Sequence, residues 1–297
     1  MARVAFAGIG NMGWPMAANL VKAGFDVVVT DISAERTAQF ASEVGGHAAA
    51  SPAEAVKGCD AFICILPTSK EVALVADAVA ATLPEGALFL DMTSGNPTRT
   101  REIAEKLSAK RIRMVDCPVS GGVPRAKSGE LAIMCGGTDA DLDAAEPYLK
   151  AMGTSFHRCG PIGAGQAMKA LNNLVSAGGF LMGIEALLIG QKFGLEPGLM
   201  VDVLNASTGM TNSSQKKFKQ FVLSRRFDSG FGLDLMVKDL SIALEVGKEV
   251  AVPTPFSALC REMWASAASM LGKGEDHTAV AKLSEHLAQQ TLTGGNR

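Results

Sequence analysis

Three glycines near the start of the chain have the spacing of a phosphate-binding turn. Gly8, Gly10 and Gly13 form G-x-G-x-x-G within "GIGNMGWPMAANL", between an apolar run and a segment with helical spacing. In such a turn the first glycine permits a tight bend, the second lets backbone approach a pyrophosphate, and the third lets helix and strand pack closely. The helix dipole would favour the anion there. With Asn11 and Met12 between the glycines, the stretch predicts a dinucleotide-binding turn.

An acidic residue follows at the end of the second predicted strand. Asp31 closes the run "DVVVTD". A carboxylate at this position accepts hydrogen bonds from adenosine ribose hydroxyls and repels a 2′-phosphate, whereas an NADP site usually has an arginine nearby. The next residue is Ile32, although Arg36 is close enough in sequence to reach a phosphate. NAD is therefore favoured over NADP, and the alternative is that Asp31 only caps a turn.

The sequence "DCPVSGG", residues 116–122, provides a second set of binding groups. Ser120 offers a hydroxyl, and Gly121 and Gly122 offer unobstructed backbone N–H groups, which suit a carboxylate or an oxyanion. The segment ends a predicted strand, and ligands of open α/β sheets bind beyond the carboxyl ends of strands. Since S-G-G is also an ordinary loop sequence, the prediction rests on its position beside the cofactor turn.

A lysine and an asparagine in "GAGQAMKALNN" form the third set. Lys169 and Asn173 are four residues apart, so on a helix they share one face. Burial of this face beside a cofactor would favour the neutral lysine, which can take the proton of an alcohol. The alternative is a solvated helix face. The small apolar neighbours and the low charge of this helix favour a catalytic pair.

The elements that position these residues alternate through the first half of the chain. Short β-rich runs separated by helical segments predict an α/β fold, a doubly wound parallel sheet with helices on both faces. Thr138 is the predicted N-cap of a helix late in this region, and the pattern ends near Gly160. The candidate strands are "RVAFAG", "DVVVTD", "AFICILP", "ALFLDM", "RMVDCP", "LAIMCGG" and "SFHRCGP".

Long helical patterns replace the strands from about residue 162 onward. The sequence therefore predicts two domains, a Rossmann dinucleotide-binding domain at 1–161 and an all-α domain at 162–297. The second domain carries apolar residues beyond one narrow stripe, as in "FLMGIEALLIG". Such surface is usually buried against a partner, so we expect a homodimer or homotetramer.

Composition excludes several classes of partner. Lys and Arg total 28 against 30 for Asp and Glu, so no general attraction to nucleic acid or anionic membranes is expected. The basic stretch "SSQKKFKQFVLSRR", spanning Lys216 to Arg226, has two interpretations, a nucleic-acid surface or an amphipathic helix with a solvated basic face; the helix is favoured.

Apolar runs and cysteines bear on location. No uninterrupted apolar run reaches the roughly 18 residues of a membrane span, and "LNNLVSAGGFLMGIEALLIGQKFG" is predicted to be a buried protein helix. The N-terminus has no secretory-signal pattern. The 6 cysteines form no C-x-x-C pair and the 4 histidines are scattered, which predicts neither a metal site nor a disulfide framework. Reduced thiols in the cytoplasm fit this composition.

Together these motifs resemble those of the β-hydroxyacid dehydrogenase family, which includes 3-hydroxyisobutyrate dehydrogenase and tartronate semialdehyde reductase. The resemblance covers nearly the whole chain and implies a Rossmann domain, a long interdomain helix and an all-α domain used in oligomer contacts. The matching segments, in the family's order, are "GIGNMGWPMAANL", "DMTSGNP", "DCPVSGG", "GAGQAMKALNN" and "LMVKDL".

The resemblance also implies a role for each site residue. Lys169 would be the catalytic acid/base, Asn173 and Ser120 would hold substrate, and Gly121 and Gly122 would bind the substrate carboxylate. The remaining implied residues contact the cofactor, with Lys238 closing over the nicotinamide and the cleft lined by Leu66, Pro67 and Thr93. The chain has "DMTS" where the family usually has D-x-S-T, so Thr93 and Ser94 exchange hydroxyl types.

The expected reaction is reversible oxidation of a small 3-hydroxy acid to its semialdehyde, without a metal. Hydride transfer needs a nicotinamide, an alcohol carbon held against it and a base for the hydroxyl proton. Two alternatives remain: an imine reductase on the same fold, which typically has Asp or Tyr in place of the lysine, and a non-catalytic NAD(P)-binding scaffold, which would have lost it. Lys169 argues against both.

Overall fold

The computed structural model describes residues 2–294, and the chain divides into two compact units, residues 1–169 and 170–297. The first unit is α/β. Its elements are β1 Arg3–Ala7, α1 Gly13–Lys22, β2 Asp26–Thr30, α2 Ala34–Glu43, β3 His47–Ala48, α3 Pro52–Ala55, β4 Ala61–Cys64, α4 Ser69–Val79, β5 Leu88–Asp91, α5 Pro97–Ser108, β6 Arg113–Asp116, β7 Val119–Ser120, α6 Gly122–Ser128, β8 Leu131–Gly136, α7 Asp139–Met152 and β9 Gly153–Gly160.

One sheet joins all nine of these strands, in the order β3-β2-β1-β4-β5-β6-β8-β7, with β9 paired to β8. The strands from β3 to β6 are parallel, so β1, β4, β5 and β6 end at the same edge. The chain moves outward from β1 to β2 and returns to place β4 on the other side of β1. This reversal creates the crevice in which doubly wound sheets bind ligands.

The seven strands predicted from the sequence are all present, and the sheet departs from the predicted parallel arrangement in one region. β8 runs antiparallel to β6 and to the two-residue strand β7. The short connection from β6 through β7 and α6 returns the chain in the opposite direction. The two-residue strands β3 and β7 were not predicted, because they are too short for a period-2 pattern to show.

Alternation along the strands explains the packing of helices on both faces. In β1, Val4 and Phe6 belong to one apolar cluster, and Ala5 and Ala7 belong to a different cluster. Residues of opposite parity point to opposite faces of a sheet, so each face has its own core. The predicted N-cap is confirmed, since the Thr138 hydroxyl accepts the N–H of Asp141 at 3.1 Å at the start of α7.

The second unit is helical. Its first helix, α8, begins at Ala164 in the first unit and runs to Phe193. The core of this unit is centred on aromatic side chains, with the rings of Phe180 and Phe218 at 5.3 Å and those of Phe180 and Trp264 at 5.9 Å. The remaining elements are α9 Pro197–Asn205, α10 Asn212–Lys216, a π-helical segment Phe218–Leu223, α11 Leu233–Glu249, α12 Pro255–Leu271, a 3-10 turn His277–Val280 and α13 Ala281–Ala288.

Helix α8 combines a buried face and an exposed apolar face. Its length and a mean hydropathy of 1.5 over 18 residues would allow it to cross a membrane, and 44% of that window is buried inside the structure. The buried face, including Ile184 and Leu188, forms part of the core of the second unit. The opposite face exposes Val175, Met182 and Ile189 at seven-residue intervals. This half-buried pattern is that of a core helix with one uncovered apolar stripe.

The basic segment is largely helical, with exposed basic side chains and a buried phenylalanine as predicted, but the helix is interrupted at Lys217. α10 ends at Lys216, and a wider π-helical turn follows, with Phe218 fully buried. Several of its cations meet carboxylates: Lys219 Nζ lies 2.6 Å from Asp202, and Arg225 pairs with buried Glu285. These pairs offset much of the positive charge that suggested a phosphate-binding surface.

Candidate active site

The glycine turn after β1 has the backbone geometry that the sequence predicts. A Cβ on Gly8, whose φ is 88°, would lie 2.3 Å from the Ile65 carbonyl oxygen, and one on Gly13 would lie 1.8 Å from that of Gly8. A Cβ on Gly10 would meet nothing within 4 Å. Gly8 and Gly13 are therefore required by close packing, and the backbone of Gly10 is open to a ligand. No acidic residue occupies the first turn of α1, so its N-terminus is suited to an anion.

Asp31 is held beside this turn by two backbone donors. Its Oδ2 accepts the N–H of Ile9 at 2.9 Å, and its Oδ1 accepts that of Ser33 at 3.0 Å. A carboxylate has about four acceptor positions, which leaves capacity for ribose hydroxyls. Arg36 lies at the same place, since its Nε donates to the Ile9 carbonyl and its guanidinium carbon lies 5.5 Å from the Trp14 ring centroid. The Asp31 carboxylate and the Arg36 guanidinium thus both hydrogen-bond to the backbone of Ile9, within the glycine turn.

The residues predicted to line the cofactor cleft lie where β4 and β5 end. The N–H of Leu66 donates to Thr93 Oγ1 at 3.0 Å, and the Thr93 N–H donates to Asp91 Oδ1 at 3.0 Å. Leu66 also packs against Gly8, because a Cβ there would lie 2.9 Å from Leu66 Cδ2. Pro67 follows directly. Thr93 is fully buried, so its hydroxyl holds Leu66 in place beside the glycine turn.

Ser120, Gly121 and Gly122 lie at the junction of β7 and α6. Ser120 pairs with Ala132 in the antiparallel part of the sheet, and the two glycines have φ of 133° and 67°. These values favour glycine, so the bare backbone has a conformational reason at this turn. The antiparallel return of β8, which the sequence did not predict, therefore positions the predicted carboxylate-binding segment.

Arg125 lies next to this segment and was missed by the sequence reasoning. A Cβ on Gly121 would lie 2.7 Å from Arg125 Cδ, so the stem of this arginine covers the glycine. Among the arginines of residues 2–294, only Arg125 has a guanidinium that makes no hydrogen bond or ion pair. Its side chain is exposed. Its position one helical turn after S-G-G was the available indication.

Lys169 and Asn173 occupy consecutive turns of α8, and each is only 7% exposed. Asn173 Nδ2 donates to Asp239 Oδ2 at 2.6 Å, and its Oδ1 accepts from Asn172 at 3.2 Å. Asp239 is buried on α11, and its Oδ1 lies 3.4 Å from the Nζ of Lys238. Asp239, left open in the sequence as an ion-pair partner, therefore fixes the orientation of the Asn173 amide.

Two buried carboxylates near the start of α8 were also missed. Burial raises the pKa of Asp91 to about 7 and that of Asp116 to about 6. Both are the last residues of their strands, β5 and β6, at the ligand-binding edge of the sheet. Gln166 on α8 contacts both through its side chain or its backbone. Their placement at strand ends was visible in the sequence, but their contacts with α8 were not.

A Rossmann glycine turn, an acidic residue anchored beside it and a buried lysine on a long helix are together typical of NAD(P)-dependent dehydrogenases. Residues 3–162 match the family described as the NAD binding domain of 6-phosphogluconate dehydrogenase. Residues 163–284 match that described as NAD-binding of NADP-dependent 3-hydroxyisobutyrate dehydrogenase.

Whole-length relatives narrow the class. The chain is 34% identical to 2-(hydroxymethyl)glutarate dehydrogenase of Eubacterium barkeri, over 99% of this chain and 98% of that one. It is 34% identical to 3-hydroxyisobutyrate dehydrogenase of Pseudomonas aeruginosa, over 95% and 98% of the two chains. The structure of Mycobacterium tuberculosis 3-hydroxyisobutyrate dehydrogenase with L-serine superposes with a TM-score of 0.89 at 32% identity, covering 95% of this chain and 98% of that one. The chain belongs to the β-hydroxyacid dehydrogenase family.

Imine reductases are more distant. The enzyme from Streptomyces aurantiacus is 19% identical, over 95% of this chain and 99% of that one, with a TM-score of 0.64. At this identity the comparison shows a common fold.

Proposed function

We propose that this protein reversibly oxidises a small 3-hydroxy acid, 3-hydroxyisobutyrate or a close analogue, to its semialdehyde, and prefers NAD to NADP. The observation that carries the proposal is the buried pair of Lys169 and Asn173 on α8, in a chain that matches hydroxyacid dehydrogenases over nearly its whole length. Asp31 supports the cofactor preference, because a 2′-phosphate would meet its negative charge.

Substrate orientation comes from two sets of groups. The Ser120 hydroxyl and the N–H groups of Gly121 and Gly122 bind the substrate carboxylate. The Asn173 amide nitrogen donates to Asp239 at 2.6 Å, which fixes the orientation of the amide. Its oxygen can then accept a hydrogen bond from the substrate hydroxyl and hold it in place. Fixing both ends of a short hydroxy acid holds the reacting carbon in one place, which is the main contribution of such sites.

Lys169 moves the proton. In oxidation its neutral amine takes the hydroxyl proton, and in reduction its ammonium returns a proton to the semialdehyde oxygen. A nicotinamide cofactor, when bound, accepts or supplies the hydride. The open backbone at Gly10, the uncompensated N-terminus of α1 and the anchored Asp31 fit the pyrophosphate and ribose of such a cofactor.

A dicarboxylic 3-hydroxy acid is the second candidate substrate. 2-(Hydroxymethyl)glutarate carries the same hydroxymethyl and carboxylate groups as 3-hydroxyisobutyrate, with a carboxyethyl arm in place of the methyl group. Arg125 favours this candidate, because its side-chain stem covers Gly121 of the S-G-G segment, and its exposed guanidinium makes no hydrogen bond or ion pair within residues 2–294.

Self-association is part of the proposal. The stripe of Val175, Met182 and Ile189 on α8 is exposed by 77%, 56% and 70%. An exposed apolar stripe of this regularity can be buried against the same stripe of a second copy related by twofold symmetry. We propose a homodimer or homotetramer in the cytoplasm.

Steady-state kinetics test the proposal directly. Wild-type protein is assayed with 3-hydroxyisobutyrate, 2-(hydroxymethyl)glutarate, shorter 3-hydroxy acids and a cyclic imine, with NAD and NADP each supplied. We expect turnover of 3-hydroxy acids with a higher kcat/KM for NAD. Turnover of the imine and of none of the 3-hydroxy acids would contradict the proposal and would support the imine-reductase alternative.

A further inference from the structure

The side chain of Gln166 joins the first turn of α8 to the loop that follows β5. It is 1% exposed, and its amide makes three hydrogen bonds to a single stretch of backbone and side chain. Its Oε1 accepts the N–H of Gly95 at 2.7 Å, and its Nε2 donates to the carbonyl of Thr93 at 2.8 Å and to Asp91 Oδ2 at 3.3 Å. The donor and acceptor ends of the amide are both used.

A second contact holds the same helical turn from the neighbouring strand. The carboxylate of Asp116, at the end of β6, accepts the N–H of Gly163 at 2.6 Å and that of Gln166 at 2.8 Å. It thereby satisfies N–H groups that a helix start leaves unpaired. A Cβ on Gly165 would lie 2.4 Å from the Met134 carbonyl oxygen, so the turn is also closely packed on the sheet.

These contacts connect two parts of the candidate site. Lys169 follows Gln166 by three residues, one helical turn later. On the other side, Thr93 is bonded to Leu66, which packs on the glycine turn. We propose that Gln166 is a positioning residue, which sets Lys169 against the cofactor-lining segment through its bonds to Thr93 and Gly95. The role rests on the proposed function, since it needs Lys169 to be the acid/base.

The chemistry of the contact requires an amide. Gly95 supplies a donor, whereas Thr93 and Asp91 supply acceptors, so the side chain must accept at one atom and donate at another. Glutamate has the same shape and keeps the acceptor, but its second oxygen would face the acceptors without a proton. A proton on the introduced carboxyl would restore the hydrogen bond to the Thr93 carbonyl or to Asp91, whereas a proton on Asp91 would restore only the bond between the two carboxyl groups.

The surroundings of Asp91 make such protonation accessible. Its carboxylate faces the thiol of Cys64 at 3.8 Å, the N–H of Thr93, the Gln166 amide and, through space, Asp116. Burial and the charge of Asp116 both raise its pKa, and two hydrogen bonds from Thr93 lower it, leaving it at about 7. A carboxyl introduced at position 166 would therefore share a proton with Asp91 in weak acid and lose it in weak alkali.

The test compares Gln166→Glu and Gln166→Met with wild type and with Gln191→Glu. Gln191 lies on the same helix and likewise uses both ends of its amide, in bonds to Thr291 and Thr293, so it is a matched control. The kcat for the best 3-hydroxy acid is measured from pH 6 to pH 9 as a ratio to wild type. Hydrogen exchange of the peptide containing Gly95 is measured without cofactor or substrate.

We expect Gln166→Glu to lose about 10²-fold in kcat at pH 9, the scale of an ångström-level misplacement, and to recover towards wild type at pH 6. Gln166→Met should lose kcat at every pH, and its Gly95 should exchange faster than that of wild type at every pH, because the acceptor is removed. In Gln166→Glu, Gly95 should exchange faster than in wild type at pH 9 only, because repulsion by the unprotonated Asp91 displaces the introduced carboxylate. Gln191→Glu should match wild type in both measurements.

Two other outcomes distinguish failure of the positioning role from failure of the proposed function. If wild type turns over 3-hydroxy acids and the Gln166→Glu ratio is unity or does not change with pH, the positioning role is wrong and the proposed function stands. If wild type turns over none of the 3-hydroxy acids, the proposed function is wrong, and Gln166 has no positioning role in that reaction.

Discussion

Replacing Lys169 with alanine is the most direct test of the proposed chemistry. Alanine has the highest helix propensity, so α8 should keep its backbone while the amine is removed. General acid/base assistance contributes about 10² to 10⁴ in rate, which corresponds to a barrier increase of about 3 to 5 kcal/mol at 1.36 kcal/mol per tenfold. Because Lys169 is 7% exposed, bulk water has little access to replace it, and we expect a loss near the upper end.

The assay separates chemistry from cofactor binding. kcat is measured on the best 3-hydroxy acid, and NAD affinity is measured by fluorescence titration without substrate. Lys169→Arg should fail as well, since a guanidinium stays protonated and cannot take the hydroxyl proton. Lys192→Ala is the matched control, because Lys192 lies on the same helix and donates to the Ala288 carbonyl at 2.7 Å.

Two results would refute the reasoning in different ways. A Lys169→Ala enzyme that keeps most of the wild-type kcat would show that the proton is moved by another group. A variant that loses NAD affinity would make Lys169 a cofactor ligand or a structural residue. Neither result would affect the family assignment, which rests on the whole chain.

The remaining predictions concern the cofactor, the substrate, association and stability. Asp31→Ser should erode the preference for NAD in kcat/KM, since repulsion of the 2′-phosphate is relieved, and an unchanged ratio would reduce Asp31 to a turn residue. Arg125→Met should raise KM for 2-(hydroxymethyl)glutarate several-fold more than for 3-hydroxyisobutyrate, while Lys127→Met, a neighbouring exposed cation, should not; equal effects on both acids would remove Arg125 from substrate selection. Ile189→Lys should lower the sedimentation mass towards one chain, and a wild type that is already monomeric at micromolar concentration would contradict the proposed interface. Burial lowers the pKa of His277 below its usual 6.5, so the unfolded state binds the proton more readily than the folded state. The stability that this histidine contributes is therefore lost as pH falls below about 6.5. Urea unfolding from pH 5 to 8 should show a smaller difference in unfolding free energy between wild type and His277→Gln at the acid end, and a constant difference would rule this out.

The pH dependence of stability that Asp91 and Asp116 produce is opposite in sign to that of His277. Their raised pKa values mean that the folded state holds protons more readily than the unfolded state between about pH 4 and 7. Their contribution to stability therefore increases as pH falls through that window. For this reason the His277 effect is measured as a difference between two proteins rather than as the slope of wild type alone.

The sequence by itself determined the parts of this protein that depend on neighbouring residues. A strand, a glycine turn and a helix follow one another within Arg3–Lys22, so the spacing of Gly8, Gly10 and Gly13 was sufficient to predict them. Thr138 could be recognised as an N-cap, because its hydroxyl and the backbone N–H that donates to it, that of Asp141, are three residues apart. Lys169 and Asn173 could be paired because the helical period alone places them on one face.

Only the tertiary structure decided the contacts between residues far apart in the chain. Gln166 meets Asp91 and Gly95 from 75 and 71 residues away, and Asn173 meets Asp239 from 66 residues away. No local period encodes contacts between residues so far apart in sequence: the Gln166 contacts depend on how the start of α8 meets the end of β5, and the Asn173 contact depends on how α8 packs against α11. The same holds for the basic segment, where the sequence predicts a helix but does not locate the interruption at Lys217 or the π turn that follows it. Local spacing thus specifies which groups are present, and packing decides which of them meet, because burial and polar pairing are satisfied by the whole fold at once.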